Sequence, residues 1–248
     1  MGQMLTGLLK EDPEAEVAAG VDGYTGIANE YPVFASIDEC DVPADVVIDF
    51  SNAKAADGLL DYCVRTKTPV VLCTTGLSEE QLAKVEEAAK ETAVLKSANM
   101  SLGINLLMKL LKEAAPTLAA AGFDIEIVEK HHNQKLDAPS GTALALADAI
   151  NEASDGAYHY VYDRSQERKK RESSEIGISA VRGGTIVGDH DVIFAGTDEV
   201  ITFEHRAYSR AVFGKGAIQA SAVITTLLVR IASASFERSS TSSGAVRS

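Results

Sequence analysis

Apolar residues in the first half of the chain fall in short runs separated by polar turns. Gln3 to about Leu9 reads as a helix, ended by Pro13, which cannot continue one. Val17–Val21 is a brief apolar run closed by Asp22 and Gly23, the pattern of a strand and turn. Val46–Phe50 predicts a second strand, apolar until Asp49, as expected for burial on both faces. Ala53–Arg65 reads as a helix and Val70–Cys73 as another buried strand. After the loop Thr74-Thr75-Gly76, Ser78-Glu79-Glu80-Gln81 is a capping box for a helix through about Glu91. Ala93–Leu95 predicts a fourth strand, and the polar loop Ser97–Gly103 leads into a helix over Ile104–Leu118. Strands alternating with helices imply right-handed crossovers and a parallel, doubly wound α/β sheet. Such sheets bind ligands at the carboxyl ends of their strands, where Asp22, Ser51, Thr74 and Asn99 fall.

The pattern changes after Ile125–Val128, a strand-like run, and Ala143–Ala153, an alanine- and leucine-rich helix. Ile176–Val181, Thr185–Val187, Val192–Ala195 and Glu199–His205 are closely spaced β-type runs with glycines between them. They predict an antiparallel or mixed sheet covered by that helix, an α+β domain. The expected division is residues 1–128, then 129–213, then a helix over 214–238 that returns to the first domain. Residues 239–248 are rich in serine and are expected to form a disordered tail.

Composition narrows the function. The chain has 248 residues, 46% of them hydrophobic, enough for one large core or two smaller ones. A net charge of −13 argues against nucleic acid, whose phosphates need a basic surface. The basic run Arg164–Arg171 is the exception and reads as a solvated loop. Cys40, Cys63 and Cys73 are odd in number and widely spaced, so they form neither a disulfide framework nor a metal pair. Ala217–Ala234 is apolar but carries Gln219, Arg230 and several hydroxyls, which favours a buried helix over a membrane span. No signal peptide is visible in Met1–Lys10, and a soluble, cytoplasmic protein is expected.

The chemistry concentrates in Glu129–Ala143, which holds His131, His132, Lys135, Asp137 and the turn Pro139-Ser140-Gly141-Thr142. Pro139 and Gly141 break regular structure, and Ser140 and Thr142 are natural helix N-caps. A helix starting there offers unpaired N–H groups and the positive end of its dipole to an anion. Gly141 has no side chain to keep a carboxylate away, and His131 and Lys135 could donate protons beside it. The arrangement points to a small carboxylate that is protonated or reduced. A structural role for the two histidines and a solvated Lys135 is the plainer alternative. A zinc site is a further rival, but the histidine spacing is not His-Glu-x-x-His and no cysteine pair lies near. In the first domain, Asp22 follows Gly2 at roughly the 20-residue interval of a dinucleotide-binding fingerprint. An Asp after a strand is more often a turn residue.

The run His131-His132-Asn133-Gln134-Lys135-Leu136-Asp137-Ala138-Pro139-Ser140-Gly141-Thr142-Ala143 resembles the signature of the 4-hydroxy-tetrahydrodipicolinate (dihydrodipicolinate) reductases. Glu175-Ile176-Gly177, Arg182–His190 and Glu204–Arg210 also resemble that family, as do Asp49-Phe50-Ser51, Thr74-Thr75-Gly76 and Ala98–Ser101. The resemblance runs from about Gly2 to about Gln219. It implies a Rossmann-like domain with a substrate-binding and oligomerisation domain, and reduction of a cyclic dicarboxylate of the lysine and diaminopimelate pathway by NADH or NADPH. It implies His131 as proton donor or acceptor, Lys135 as proton donor, His132 as substrate ligand and Gly141 with Thr142 as carboxylate ligands. Cofactor ligands are implied at Gly2, Asp22, Cys73, Thr74, Thr75, Ser97, Ala98, Asn99 and Met100, with substrate in the domain cleft. It implies a homotetramer, and no metal, nucleic acid or membrane partner is expected from charge, composition and spacing. Asp22, followed by the uncharged Gly23, leads to the expectation that NADH is used at least as well as NADPH.

Members of the family open with a strand and a Gly-x-x-Gly-Arg-Met-Gly loop, and this sequence opens at what resembles its last Met-Gly. Without that strand, the ladder groups around Val17–Val21 are expected to lie unpaired, and each such buried group costs about 1–3 kcal/mol. A loosely ordered first half that binds NADH weakly or not at all is therefore expected. Two rivals follow: a catalytically silent member that keeps only its assembly function, and a metal-dependent hydrolase built on His131, His132 and Asp137.

Overall fold

A strand is held by its neighbours, so the lengths of the strands record how much pairing each region offers. The computed structural model describes residues 1–162, 164–165 and 168–240, with 227–240 as helix backbone. It forms two compact units, Met1–Ser97 together with Gly214 onward, and Ala98–Phe213.

The first unit begins with helix α1 (Gly2–Leu9), followed by two short strands, β1 (Gly20–Val21) and β2 (Val33–Phe34). These pair with each other in parallel and with no other strand among the described residues. Of the expected Val17–Val21 strand only its last two residues enter a ladder, because β1 has a single short partner. β2 follows Pro32, too brief an apolar run to stand out in the sequence. A second parallel sheet holds β3 (Val47–Asp49), β4 (Val70–Leu72) and β5 (Val94–Lys96) in the order β3-β4-β5. Helices α2 (Ala53–Thr66) and α3 (Glu79–Ala88) connect them. β4 is central and wholly buried, which explains its unbroken apolar run. Asn52 caps α2, and α2 ends at Lys67 in the left-handed conformation. The Ser78–Gln81 capping box of α3 is formed in both directions. Leu59, Leu60, Cys63, Val70, Leu72 and Val85 make the core of this unit. Val21 is 45% exposed, whereas the three residues of β4 are fully buried.

The second unit contains α4 (Leu102–Ala120), β6 (Asp124–His131), α5 (Gly141–Glu152), β7 (His159–Val161), β8 (Glu175–Arg182), β9 (Gly188–Ala195) and β10 (Val200–Ala207). Among the described residues its five strands form one mixed sheet in the order β10-β9-β6-β8-β7. β6 is central, parallel to β8 and antiparallel to β9. The compact unit begins at Ala98, whereas the sequence led to an expected boundary near Glu129. Residues 98–128 belong here, because β6 starts at Asp124 as the centre of this sheet and α4 packs with α5 on it. The core joins Leu107 and Leu111 of α4, Leu146 and Ile150 of α5, and Ile125, Ile127, Ile176, Ile178, Val192 and Phe194 of the sheet.

Thr185–Val187 is not a strand, despite its β-branched residues. Gly184 takes a φ of +50° in a turn, and the β8–β9 connection bonds the end of β6 through Gly183 N–H to His131 O, 2.8 Å. The basic run is not simply solvated either. Arg171 turns back onto β6, pairing with Asp124 and Glu126 and donating to Glu175 O at 2.7 Å. Asp163, Gln166 and Glu167 of that segment lie outside the described residues.

The last helix, α6 (Ala211–Ser240), runs past the end expected at Arg238 and takes in Ser239 and Ser240. Residues 241–248 of the expected tail lie outside the described residues. α6 is only partly buried: Ala217 and Ile224 are enclosed, while Val223 is 55% exposed. Gly214 lies against Leu8 of α1, where a Cβ would stand 2.8 Å from the leucine methyl. Among the described residues no helix is long and apolar enough to cross a membrane.

Candidate active site

Alternation along β6 puts Ile125, Ile127, Glu129 and His131 on the face that α4 and α5 cover. The first two are core, and the next position is a carboxylate with no exposed surface. A buried charge is costly unless it is paired and hydrogen-bonded, and Glu129 is both. Arg182, the last residue of β8, approaches it as a fork, with Nη1 donating to Oε2 at 2.8 Å and Nη2 to Oε1 at 2.7 Å. Ser140 N–H donates to Oε1 at 2.9 Å. His131 Nδ1 lies 2.6 Å from Oε2. Burial works to raise the Glu129 pKa, but the bonds from His131, Arg182 and Ser140 outweigh it and hold the carboxyl at about 2.

The motif is thereby folded around one anion. His131 ends β6 and is buried, while His132 lies just past the strand, half-exposed. The strand has ended, so the rule that neighbouring side chains point to opposite faces no longer separates them. The chain then turns, with Lys135 N–H donating to His132 O at 3.2 Å and Lys135 Nζ pairing with Asp137 at 2.8 Å. Burial tends to raise the Asp137 pKa, but the Lys135 ammonium overrides it and lowers the value. Arg182 Nη2 also donates to Asp137 O at 2.7 Å, so the guanidinium that holds Glu129 holds this loop as well.

Ser140 caps α5, accepting from Ala143 N–H at 3.2 Å. Gly141 and Thr142 are the first residues of the helix, and nothing lies within 4 Å of where a Gly141 Cβ would stand. Asn99 donates from Nδ2 to Thr142 Oγ1 at 2.9 Å, its own Oδ1 being held by Ser101 N–H at 2.8 Å. Since that donor occupies a lone pair of Oγ1, the Thr142 hydroxyl proton remains available to an acceptor.

Two further histidines line the same face. His190 is 3% exposed, paired in register with Glu129, 3.2 Å from Ser140 Oγ and edge-on to His131 at 5.2 Å between ring centroids. Burial first, then the charge of His131, pushes its pKa down to about 3, so His190 is neutral. His205 lies 3.3 Å from Ser101 Oγ, the N-cap of α4, and burial lowers its pKa too.

The structure thus groups His131, Gly141, Thr142 and Asn99 through hydrogen bonds in one unit, with Lys135 on the connecting loop. Asn99 and Met100, implied as cofactor ligands by the family resemblance, are buried in this second unit, next to the exposed Ala98. Glu129, Arg182, Ser140, His190 and His205 were missed as site residues. The available signal was a carboxylate in the apolar phase of β6, after Ile125 and Ile127.

The other positions implied as cofactor ligands, apart from Ala98, belong to the first unit. Gly2 opens α1, whose N-terminus has no side-chain cap. Asp22 follows β1, with Oδ1 accepting from Tyr24 N–H at 2.9 Å. Past β4, Cys73 is buried, its thiol pushed up to about 12 by that burial, and Thr75 is exposed. Thr74 donates to the buried Asp49 at 2.6 Å, and Asp49 also receives Ser51 N–H at 3.0 Å. Ser97 follows β5, its N–H bonded to Leu72 O at 3.2 Å. An uncapped helix start, an acid after β1 and hydroxyls at the carboxyl ends of parallel strands fit the phosphates, ribose and amide of a nicotinamide dinucleotide. His131, His132 and Asp137 do not converge as a ligand set. Among the described residues the one such cluster is His159, Glu172 and Glu175.

Comparison with known proteins agrees with this geometry. Family models described as dihydrodipicolinate reductase, N-terminus, and dihydrodipicolinate reductase, C-terminus, match residues 1–100 and 103–233. The 4-hydroxy-tetrahydrodipicolinate reductase of Caldanaerobacter subterraneus is 57% identical over 89% of this chain and 87% of its own length. That of Clostridium tetani is 50% identical over 90% of this chain and 86% of its own. A solved dihydrodipicolinate reductase from Paenisporosarcina, with dipicolinate bound, superposes with a TM-score of 0.71 at 26% identity, covering 91% of this chain and 90% of that one. With both halves matched, and the His131-to-Thr142 motif folded around Glu129, this chain belongs to the dihydrodipicolinate reductase family.

Proposed function

We propose that this chain reduces 4-hydroxy-tetrahydrodipicolinate to tetrahydrodipicolinate in lysine and diaminopimelate biosynthesis, using NADH or NADPH. The observation that carries this is the Glu129 hydrogen-bond set, which joins a proton-exchanging imidazole to the start of α5. The relative with dipicolinate, a planar ring dicarboxylate, in its structure supports the substrate class. In the net reaction one hydride and one proton enter the substrate and its hydroxyl leaves as water.

Gly2, Asp22, Cys73, Thr74, Thr75, Ser97, Ala98, Asn99 and Met100 would hold a nicotinamide cofactor, and hydride donation is the chemistry it would supply. The chain's own residues handle charge and protons. One substrate carboxylate sits at the start of α5, on the N–H groups of Gly141 and Thr142 and the free Thr142 hydroxyl proton. His132 adds a ring contact. As negative charge develops on the reacting ring, the Lys135 ammonium stabilises it and delivers a proton. His131, at the end of β6, takes a ring proton and returns it to the departing hydroxyl, so the net uptake stays at one proton. Asp22 accepts from free ribose hydroxyls, so NADH serves at least as well as NADPH.

The working form is a homotetramer in the cytoplasm. Both helices of the second unit pack on one face of its sheet. The other face carries Val128, Val181 and Ile193 beside the Lys130–Asp191 pair at 2.6 Å, a mixed surface suited to another copy. Light scattering on the purified chain gives the assembly state directly. For the chemistry, Lys135→Ala is expected to lower kcat by about 10²–10⁴ with NADH binding unchanged. Near-normal turnover would remove Lys135 from the mechanism.

A further inference from the structure

Glu129 has more partners than a charge-neutralising pair needs. Arg182 alone balances its charge, yet a third donor comes from the Ser140 backbone and the fourth contact is an imidazole nitrogen. With its pKa held at about 2, the carboxylate carries no proton to give at neutral pH. The proton between Glu129 Oε2 and His131 Nδ1 must therefore come from the ring. That sets the tautomer by elimination, leaving Nε2 as the open position. The other edge of the ring is kept clear by a glycine, since a Cβ on Gly188 would stand 3.0 Å from Nε2.

We propose that Glu129 is a positioning residue for the reaction. It fixes His131 as the Nδ1–H tautomer, leaves Nε2 as the nitrogen that exchanges protons, and pins the Ser140–Thr142 turn through its other oxygen. This role rests on the reading of His131 as the proton-exchanging group. One anion then sets both the direction of proton transfer and the place of the substrate carboxylate, as supporting groups around a reacting side chain do. Arg182 belongs to the same device, because its second bond to Asp137 O holds the loop that presents Lys135.

Glu129→Gln separates this role from simple packing, because the two carboxylate oxygens are not equivalent. The oxygen near Ser140 faces only fixed donors, Ser140 N–H and Arg182 Nη2. The oxygen near His131 faces Arg182 Nη1 and an imidazole, and the imidazole alone can turn from donor to acceptor. The new amide NH2 therefore settles beside His131 and drives the ring to its Nε2–H tautomer.

The experiment is 15N NMR on histidine-labelled full-length chain. The chain has five histidines, and the His131→Gln spectrum identifies the signal of interest. The expected result is a bare Nε2 in the neutral ring of the parent and a protonated Nε2 in Glu129→Gln. With it, kcat should fall roughly 10²-fold while KM changes little. A parent His131 with its neutral-ring proton on Nε2, or a folded Glu129→Gln chain that keeps Nδ1–H, would overturn the proposal. If Glu129→Gln does not fold, the parent tautomer alone decides. Near-normal turnover in His131→Ala would instead remove His131 from the chemistry and leave the tautomer result standing, so the two failures are told apart.

Discussion

The two units of this chain solve the same problem, burying a sheet, with very different resources. The second unit has four strands of eight residues, and its central strand β6 is paired along both edges. Among the described residues the first unit spreads five strands of two or three residues over two separate sheets. The proposed proton chemistry sits where the ladders are long. Glu129, His131 and Arg182 must hold hydrogen-bond geometry among themselves, and strands bonded on both sides hold side chains more closely than loops do. The first unit places single acids and hydroxyls at strand ends, a task that short strands can meet. The difference also divides the cost. Buried ionisable groups are concentrated in the second unit, so its rigidity is tied to pH in a way the first unit's is not.

The largest expected effect breaks the comparison with acid. His190 titrates near 6.5 in an unfolded chain and at about 3 in the fold, so unfolding takes up a proton as pH drops through that interval. Its contribution is fully present above pH 6.5 and is lost between about 6.5 and 3. The loss is on the order of 5 kcal/mol, at 1.36 kcal/mol for each pH unit. Glu129 adds a loss of the same sign between about 4.5 and 2. Denaturant unfolding followed by probes in each unit should show the second unit losing stability first on acidification. His190→Asn should flatten its profile above pH 3, and an unchanged profile would mean that His190 is not held neutral.

At neutral pH the order is expected to reverse. Opening β1 or β3 breaks few bonds and exposes little apolar surface, while opening β6 requires the whole core of the second unit to part. Amide exchange at Ile127, Ile178 and Val192 should be at least about 100-fold slower than at Val21 and Val47, a gap of about 2.7 kcal/mol. Equal protection would show that the two sheets of the first unit are as cooperative as the long one. The smallest effect tests whether local signals compensate for short strands. Ser78→Ala removes one half of the α3 capping box and should cost about 1 kcal/mol in the first unit. A midpoint unchanged within error would show that this helix is held by packing alone.

Much of this was legible in the sequence, for identifiable reasons. Short parallel strands here are continuous apolar runs, wholly buried in β4 and partly in β3 and β5, so all three stood out, and the α3 cap was written in four residues. The motif from His131 to Thr142 put the proposed catalytic and substrate-binding residues on one continuous segment. Elements that depend on distant partners did not show. β2 exists because β1 lies beside it, and Thr185–Val187 has strand-forming side chains that Gly184 and the end of β6 bend into a turn. The Glu129–Arg182 pair is the clearest case. Its members are joined only because β6 and β8 run parallel in a register that sets His131 beside Arg182. No spacing along the chain encodes that.

The most direct test is consumption of NADH by the purified chain in the presence of 4-hydroxy-tetrahydrodipicolinate, at NADH concentrations up to millimolar. A family member with a formed Glu129–His131 pair should show substrate-dependent oxidation of NADH even with short strands in its first unit. Lys135→Ala should remove it, and NADPH should give no higher kcat/KM than NADH. A folded, assembled chain that consumes neither cofactor when substrate is present would contradict the account.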